Sequence, residues 1–263
     1  MSGATTSRGD GAGDDGVWTI TITNPVARNA LDDETRRALL GALYDAMDAP
    51  AGECRAVVLT GEGSTFCAGG DLRSMSTDDR PAIAARMGEL HRIADLLLRG
   101  PRPVVAAVEG AAYGSGLSMV AASDVVVAAS DARFCAPFTR VGVAPDVGVL
   151  WALPRRVGMG RAREMALLAE PVGAGEAAAM GLVDRLVAPG EALAAALDVA
   201  RKLAARAPLA VAATKRMLVE SAGPLEAVLA AELEEQARLL GSADFAEGRT
   251  AFFDGRAPEF GGN

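Results

Sequence analysis

Two glycine-rich loops, each directly after a short apolar strand, are the parts of this sequence best suited to chemistry. The first is Thr60-Gly-Glu-Gly-Ser-Thr-Phe-Cys-Ala-Gly-Gly-Asp71, which follows a predicted strand at 56–60. The second, Gly-Ala-Ala-Tyr-Gly-Ser-Gly at 110–116, follows a predicted strand at 104–108. Small residues let backbone N–H groups approach a ligand oxygen. Two such loops that face one point would form an oxyanion hole, a main-chain site for developing negative charge.

The elements around these loops predict a mixed α/β fold. Residues 17–23 alternate in a way that is typical of a strand, and Asp32 or Asp33 is expected to cap the helix that follows. Further strands are predicted at 124–129, 133–136 and 184–187, the last at a sheet edge, and helices at about 81–99 and 116–121. Three helices are expected to close the chain, one of them with Leu225, Leu229 and Leu233 on a single face.

Three parts follow from this pattern. Residues 1–16 are rich in Gly, Asp, Ser and Thr and are predicted to be a disordered N-terminal tail. Residues 17–200 are predicted to form the core that contains both glycine loops. Residues 201–263 are predicted to form a helical C-terminal region.

Composition excludes several classes of partner. The chain has 263 residues, a formal net charge of −8 and 50% hydrophobic residues, which is typical of a soluble globular protein. It lacks the basic stripe that a nucleic-acid partner requires, and no apolar run is long enough to span a membrane. The three cysteines show no C-x-x-C spacing, which predicts a cytoplasmic location and no metal site.

Two other chemistries fit parts of the pattern and are disfavoured. Residues 110–116 have a spacing found in dinucleotide-binding loops, but they lie in mid-chain, and neither tyrosine begins a Tyr-x-x-x-Lys pair. A serine hydrolase would need a histidine base. The single histidine, His91, lies on the predicted helix 81–99, and Ser115 is not in a Gly-x-Ser-x-Gly elbow.

Ser64-Thr-Phe-Cys-Ala-Gly-Gly-Asp-Leu72, together with the segment 101–116, resembles the signature of the crotonase (enoyl-CoA hydratase/isomerase) superfamily. The resemblance extends over residues 17–260. It implies a crotonase-like spiral of repeated strand-strand-helix units and an acyl-coenzyme A substrate, with no separate cofactor. It also implies that the backbone N–H groups of Ala68 and Ser115 bind the thioester oxygen. The family usually has glycine where Ser115 stands, and serine keeps the N–H.

The resemblance further implies a set of residues around the bound thioester. They are Arg28, Ala30, Leu31, Cys67, Gly69, Gly70, Asp71, Leu72, Tyr113, Gly114, Ser118, Pro137, Phe138, Val141 and Pro145. Cys67 has no partner base and is interpreted as a packing residue. Tyr113 either touches the acyl group or packs in the core.

This sequence lacks the two glutamates that move the proton in family hydratases, so another group is predicted to do so. Family hydratases use two glutamates, and the corresponding positions are Ser118 and Phe138, neither of which can act as a base. Asp146 remains, in a Pro-Asp segment that resembles those of family isomerases, including epoxyphenylacetyl-CoA isomerase. Its apolar neighbours are expected to raise its proton affinity, although it could instead cap the following helix.

The prediction is therefore an acyl-CoA isomerase. A hydratase or another crotonase reaction with a different acid, and a catalytically silent acyl-CoA-binding protein, are the alternatives. The resemblance also implies a homotrimer or a dimer of trimers, with 201–263 as the oligomerisation region. Phe252, Phe253 and Arg256 would then lie near a neighbouring subunit's coenzyme A. The segment 73–95 matches no motif and is expected to select the acyl group.

Overall fold

The computed structural model describes residues 2–8, 16–76 and 78–263. The strands in this part of the chain are β1 (Gly3–Arg8), β2 (Val17–Thr23), β3 (Ala56–Gly61), β4 (Val104–Val108), β5 (Ala111–Tyr113), β6 (Val125–Ala129), β7 (Arg133–Cys135), β8 (Val172–Gly173) and β9 (Arg185–Val187). The helices are α1 (Asp33–Asp48), α2 (Arg80–Arg99), α3 (Ser115–Ala122), α4 (Val149–Leu168), α5 (Ala174–Ala179), α6 (Ala192–Ala204), α7 (Pro208–Glu220), α8 (Leu225–Leu240) and α9 (Ala243–Asp254). Short 3₁₀ helices occur at Pro25–Ala27, Leu72–Ser74 and Pro137–Val141.

Two sheets form a spiral. The larger is six-stranded, in the order β1-β2-β3-β4-β6-β9, and only β1 is antiparallel to its neighbour. The smaller contains β5, β7 and β8. The pairs β4–β5 and β6–β7 each place one strand in each sheet and are followed by α3 and α4, respectively. The predicted repeat of strand-strand-helix units is confirmed, and β9 lies at the sheet edge as predicted.

Alternation along the parallel strands fills both faces of the large sheet, as expected for strands that are covered on both sides. In β3, Val57 and Leu59 belong to the cluster that includes apolar side chains of α1 and α2. Ala56 and Val58 point to the opposite face, where they pack with small residues of α6. Asp32 caps α1 by accepting the Thr35 N–H at 2.8 Å.

The prediction of a disordered N-terminal tail is wrong for residues 3–8. Residues 3–8 are not disordered but form β1, an antiparallel edge strand in which Ala4 pairs with Ile22 of β2. The Arg8 guanidinium carbon lies 4.4 Å from the centre of the Trp18 ring. Main-chain pairing needs no apolar side chains, so the polar composition of this segment does not exclude a strand. The rest of the predicted tail lies outside the described residues, apart from Ser2 and Gly16.

The C-terminal region also differs in detail. Four helices, not three, follow β9 within residues 188–263. The boundary predicted at residue 200 falls inside α6, which packs on the large sheet. The three leucines of α8 share one face as predicted, but each is more than half exposed in the single chain. None of the helices in the described ranges is long and apolar enough to cross a membrane.

Candidate active site

Direct hydrogen bonds bring the two glycine loops together. The Cys67 N–H donates to the carbonyl oxygen of Ala111 at 3.0 Å, and the Tyr113 N–H donates to that of Cys67 at 2.9 Å. Gly116 is required at this junction, because a Cβ there would lie 2.4 Å from the Cys67 carbonyl oxygen. Gly69 and Gly114 also lie in contact, with the Gly69 Cα 3.5 Å from where a Gly114 Cβ would stand. The predicted convergence of the two loops is therefore present.

Ser115 supplies a well-placed N–H group. It is the first residue of α3, and the N–H groups of a first helical turn have no acceptor within the helix. Gly114 precedes it with φ +54° and gives no side-chain cap. Ser115 itself is not among the described residues with positive φ. A side chain is therefore tolerated where the family usually has glycine, and the N–H lies at the positive end of the helix dipole.

The predicted role of Ala68 as an oxyanion donor requires a free N–H group, but in the structure this N–H is already hydrogen-bonded. That group donates to the carbonyl oxygen of Arg28 at 3.1 Å. The next N–H, of Gly69, is directed at the Cys67 sulfur at 3.4 Å. A role for Ala68 as an oxyanion donor therefore needs its bond to Arg28 to open first.

In the same loop, the N–H of Gly70 has no backbone acceptor among the described residues. The Leu31 N–H donates to the Gly69 carbonyl oxygen at 2.7 Å, and the Asp71 N–H donates to the Leu31 carbonyl oxygen at 3.2 Å. Because the backbone groups of successive residues in an extended segment point to opposite sides, the Gly70 N–H is directed away from Leu31.

Asp146 lies in a strained turn between the 3₁₀ helix Pro137–Val141 and α4. The next residue, Val147, has φ +53°, a conformation in which a β-branched residue is a genuine outlier. Strain of this kind persists only where the surrounding structure enforces it, and it is concentrated at functional sites. The turn therefore fixes the position of Asp146 instead of leaving it on a flexible loop.

The alternative role of Asp146, as a helix cap, is wrong. Gly148 is the N-cap of α4, and no side chain makes a capping hydrogen bond there. Only the main-chain oxygen of Asp146 takes part, by accepting the Val149 N–H at 3.2 Å. The carboxylate is therefore not held by the start of the helix.

Asp146 is half-buried, and one of its carboxylate oxygens, Oδ1, is buried without a hydrogen-bond partner among the described residues. Burial raises the pKa of this carboxyl above the ordinary value of 3.8, against smaller lowering effects of Arg86 and His91 on α2. The predicted rise in proton affinity is confirmed in direction. A half-buried carboxylate with a raised pKa is a candidate general base.

The two positions that hold carboxylates in hydratases have packing and bridging roles here. The Ser118 hydroxyl lies 3.1 Å from the carbonyl oxygens of both Gly114 and Asp146, so it joins the second loop to the candidate base. Phe138 is buried, and its ring edge lies 4.0 Å from where a Gly114 Cβ would stand. Neither residue can move a proton.

The thiol of Cys67 is buried beside the loops and does not act as a nucleophile. Burial raises its pKa to about 12, which keeps it as the neutral thiol at physiological pH. All three cysteines are buried and free. The interpretation of Cys67 as a packing residue is consistent with its full burial.

The other predicted binding residues are close to these groups in the chain. Asp71 accepts the Arg73 N–H at 3.0 Å and so caps the 3₁₀ helix Leu72–Ser74. Arg28 has φ +52° and Tyr113 is half-buried. The remainder lie next to residues already placed: Ala30, Leu72, Pro137, Val141 and Pro145.

Several residues near the site have no predicted role. Asn29 is fully buried, and its amide nitrogen donates to the carbonyl oxygens of Glu62 at 2.9 Å and Thr65 at 2.6 Å, which fixes the entry to the first loop. Arg86 and Met75 approach Gly70, since a Cβ there would lie 2.8 Å from Arg86 Nη2 and 2.5 Å from the Met75 methyl group. Both belong to the segment 73–95, which is expected to select the acyl group, but no motif indicated these two residues.

Phe252, Phe253 and Arg256, which are expected to lie near a neighbouring subunit's coenzyme A, differ in exposure and in their contacts. Phe252 and Phe253 are exposed on α9. The guanidinium of Arg256 is held by Glu247 through bonds of 2.6 and 2.8 Å. Arg256 therefore has an intramolecular partner in the single chain, whereas both phenylalanines are uncovered.

The spiral of strand-strand-helix units and the paired loops define the crotonase class of proteins. Residues 12–263 match the family model described as enoyl-CoA hydratase/isomerase. The chain belongs to the enoyl-CoA hydratase/isomerase family.

Individual relatives are similar in sequence to this chain over nearly its whole length. A probable enoyl-CoA hydratase of Rhodobacter capsulatus is 41% identical over 94% of this chain and 95% of its own length. The 1,2-epoxyphenylacetyl-CoA isomerase of Escherichia coli is 32% identical over 94% and 95%, respectively. The crystal structure of an enoyl-CoA hydratase from Polaromonas sp. JS666 is 37% identical, with a TM-score of 0.89, over 98% of this chain and 99% of that one.

Proposed function

We propose that this protein is an acyl-CoA isomerase that shifts a carbon–carbon double bond by proton transfer. The observation that supports this most strongly is the buried Oδ1 of Asp146, which has no hydrogen-bond partner among the described residues and lies beside the paired loops. The absence of a carboxylate at Ser118 and Phe138 favours a reaction that adds no water. The similarity to an isomerase of Escherichia coli is consistent with this assignment.

The proposed reaction converts a 3-enoyl thioester into its 2-enoyl isomer. Asp146 removes a proton from C2, and the electron pair of that C–H bond moves into the thioester carbonyl to give an enolate. As the enolate collapses, the C2–C3 double bond forms, the C3–C4 double bond breaks, and C4 takes the proton back from Asp146. No proton or electron is gained or lost, so the reaction needs no cofactor, and coenzyme A enters only as part of the substrate.

The enolate oxygen is held by two backbone donors. We assign these to Ser115 and to Gly70, in preference to Ala68, whose N–H is already bonded to Arg28. Preorganised donors of this type each contribute about 3–4 kcal/mol to transition-state stabilisation. The exposed apolar side chains of α8 and α9 further support self-association, which we propose as the homotrimer or dimer of trimers that the family resemblance implies.

A panel of thioesters tests the proposed function. We expect the purified protein to convert 3-enoyl-CoA to 2-enoyl-CoA, followed by the rise in conjugated-enoyl absorbance, without adding water to 2-enoyl-CoA. The panel also includes 1,2-epoxyphenylacetyl-CoA, because the Escherichia coli relative is named for that compound. Water addition to 2-enoyl-CoA would favour the hydratase alternative, and tight binding without turnover of any thioester would favour a silent binding protein.

The pH dependence of the isomerisation follows from the burial of Asp146. Because only the ionised carboxylate can accept a proton, we expect kcat/KM to fall as the pH drops through the pKa of Asp146 and to level off above it. Burial raises that pKa, so the inflection should lie above 3.8, the ordinary value of an aspartate. Initial rates in buffers of constant ionic strength would measure it. An inflection at or below the ordinary value would contradict the assignment of Asp146 as the base.

A further inference from the structure

Arg86 is a largely buried cation whose hydrogen-bonding capacity is only partly used. Its side chain is 12% exposed, and its Nη1 is buried without a hydrogen bond among the described residues. Its remaining contacts are long: Nη2 lies 3.4 Å from the Leu31 carbonyl oxygen, and Nη1 lies 3.5 Å from Asp33. A guanidinium stays charged at any physiological pH. Burying this one without a close partner is costly unless another group completes the site.

The carboxylates around Arg86 are already bound to another arginine. Arg36 donates to Asp33 at 2.7 Å and to Glu89 at 2.6 Å, and Arg37 also contacts Glu89 at 3.4 Å. Three arginines therefore share two carboxylates on the facing surfaces of α1 and α2. Of the two mostly buried arginines, Arg36 and Arg86, Arg86 has the longer contacts.

Arg86 is adjacent to the loop proposed to hold the thioester. Its Nη2 lies 2.8 Å from where a Gly70 Cβ would stand. It also interacts electrostatically with Asp146, although the described residues show no ion pair between them within 4 Å. Both groups have a buried polar atom without a partner. A cation with a free donor and a carboxylate with a free acceptor therefore both lie near the paired loops.

We infer that Arg86 binds a carboxylate on the acyl group, so that the substrates are coenzyme A thioesters of dicarboxylic acids. The inference rests on the proposed function, since it places the acyl group between the paired loops, Asp146 and α2. A carboxylate would accept the unused N–H of Arg86 in a charge-assisted bond. An acyl group that ends in a methyl would leave the buried Nη1 of Arg86 without a hydrogen bond. Arg86 is thus a specificity-determining residue.

Binding of saturated thioesters tests this inference without depending on turnover. Isothermal titration calorimetry compares adipyl-CoA, which ends in a carboxylate, with hexanoyl-CoA, which has the same chain length and ends in a methyl group. We expect the wild-type protein to bind adipyl-CoA about 10- to 100-fold more tightly, the range expected for a hydrogen bond to a charged group. Equal affinity, or a preference for hexanoyl-CoA, would overturn the inference while leaving the proposed function intact.

Two variants test whether Arg86 causes the expected preference for adipyl-CoA. In Arg86→Met the ratio of the two affinities should fall to about one, whereas Arg37→Met, which removes a mostly exposed arginine next to the same carboxylates, should keep the wild-type ratio. Equal losses for both thioesters in Arg86→Met would show contact with the coenzyme A moiety instead and contradict the inference. Failure of the wild-type protein to bind either thioester would reject the proposed function itself. The wild-type comparison remains decisive even if Arg86→Met does not fold.

Discussion

Replacement of Asp146 by asparagine is expected to reduce kcat for double-bond migration about 10²- to 10⁴-fold, the usual contribution of a general acid or base. Asparagine has nearly the same shape but cannot accept a proton at neutral pH. The paired loops do not depend on the carboxylate, because no hydrogen bond joins its side chain to them within the described residues. Thioester affinity should therefore persist in Asp146→Asn. Enoyl absorbance and calorimetric binding to a saturated thioester would measure the two effects separately.

The same variant should not be less stable than the wild type. Burial gives Asp146 a higher pKa in the folded protein than in the unfolded chain. Its ionised form is therefore disfavoured by folding once the pH exceeds the ordinary value of 3.8. Removing the charge removes that cost, so Asp146→Asn should melt at the wild-type temperature or above it at pH 7. Activity and stability would then change in different directions.

Asp131→Asn provides the matched control, because Asp131 is an exposed aspartate in the turn before β7. It should retain both activity and melting temperature. Isomerisation that persists in Asp146→Asn would remove this residue from the mechanism. Loss of activity together with a lowered melting temperature would indicate a structural role instead.

The sequence predicted those parts of the site that depend on local patterns. Gly116 and Gly69 are required where the loops touch, so a glycine-rich sequence already indicates close approach of two backbones. Asp146 could be singled out because its Pro-Asp segment resembles those of family isomerases, and its apolar neighbours in the sequence predicted a raised proton affinity. The direction of its pKa shift follows from that same environment, and the structure agrees.

Other features depend on contacts between distant segments and could not be predicted. The Ala68 N–H is occupied by a carbonyl group forty residues earlier in the chain, at Arg28. Arg86 lies in a segment without a motif, and its unsatisfied state appears only when its neighbours on α1 are placed. β1 consists mostly of polar residues, and its pairing with β2 depends on main-chain hydrogen bonds, which leave little trace in composition.

Lys215→Met is expected to destabilise the fold by about 3 kcal/mol, at the lower end of the range for breaking a buried ion pair. Lys215 is one of two lysines in the chain and is buried on α7. Its Nζ donates to Asp124 at 2.7 Å and to the carbonyl oxygen of Arg102 at 2.9 Å. Asp124 in turn accepts the Val104 N–H at 2.7 Å. These contacts give Asp124 a structural role at the start of β4.

The loss would leave a carboxylate and a carbonyl oxygen without their shared donor at the start of β4. For a chain of this size the expected cost corresponds to a fall in melting temperature of roughly 6–12 °C, measurable by circular dichroism at a fixed protein concentration. Lys202→Met is the control, because Lys202 is exposed on α6, and surface substitutions usually change stability by less than about 0.5 kcal/mol.

A second variant separates the buried charge from simple packing. Burial lowers the pKa of Lys215, and Asp124 only partly offsets that effect, so the pair is a costly one to bury. Adding Asp124→Asn to Lys215→Met removes the isolated carboxylate charge while keeping an acceptor for the Val104 N–H. The double variant should therefore be more stable than Lys215→Met alone. If the double variant were less stable than Lys215→Met, an unpaired charge could not explain the loss of stability in Lys215→Met. That loss would then come from poorer packing of α7 against the core. β4 leads directly into the second glycine loop, so this ion pair connects the C-terminal helices to the strand that positions Ser115.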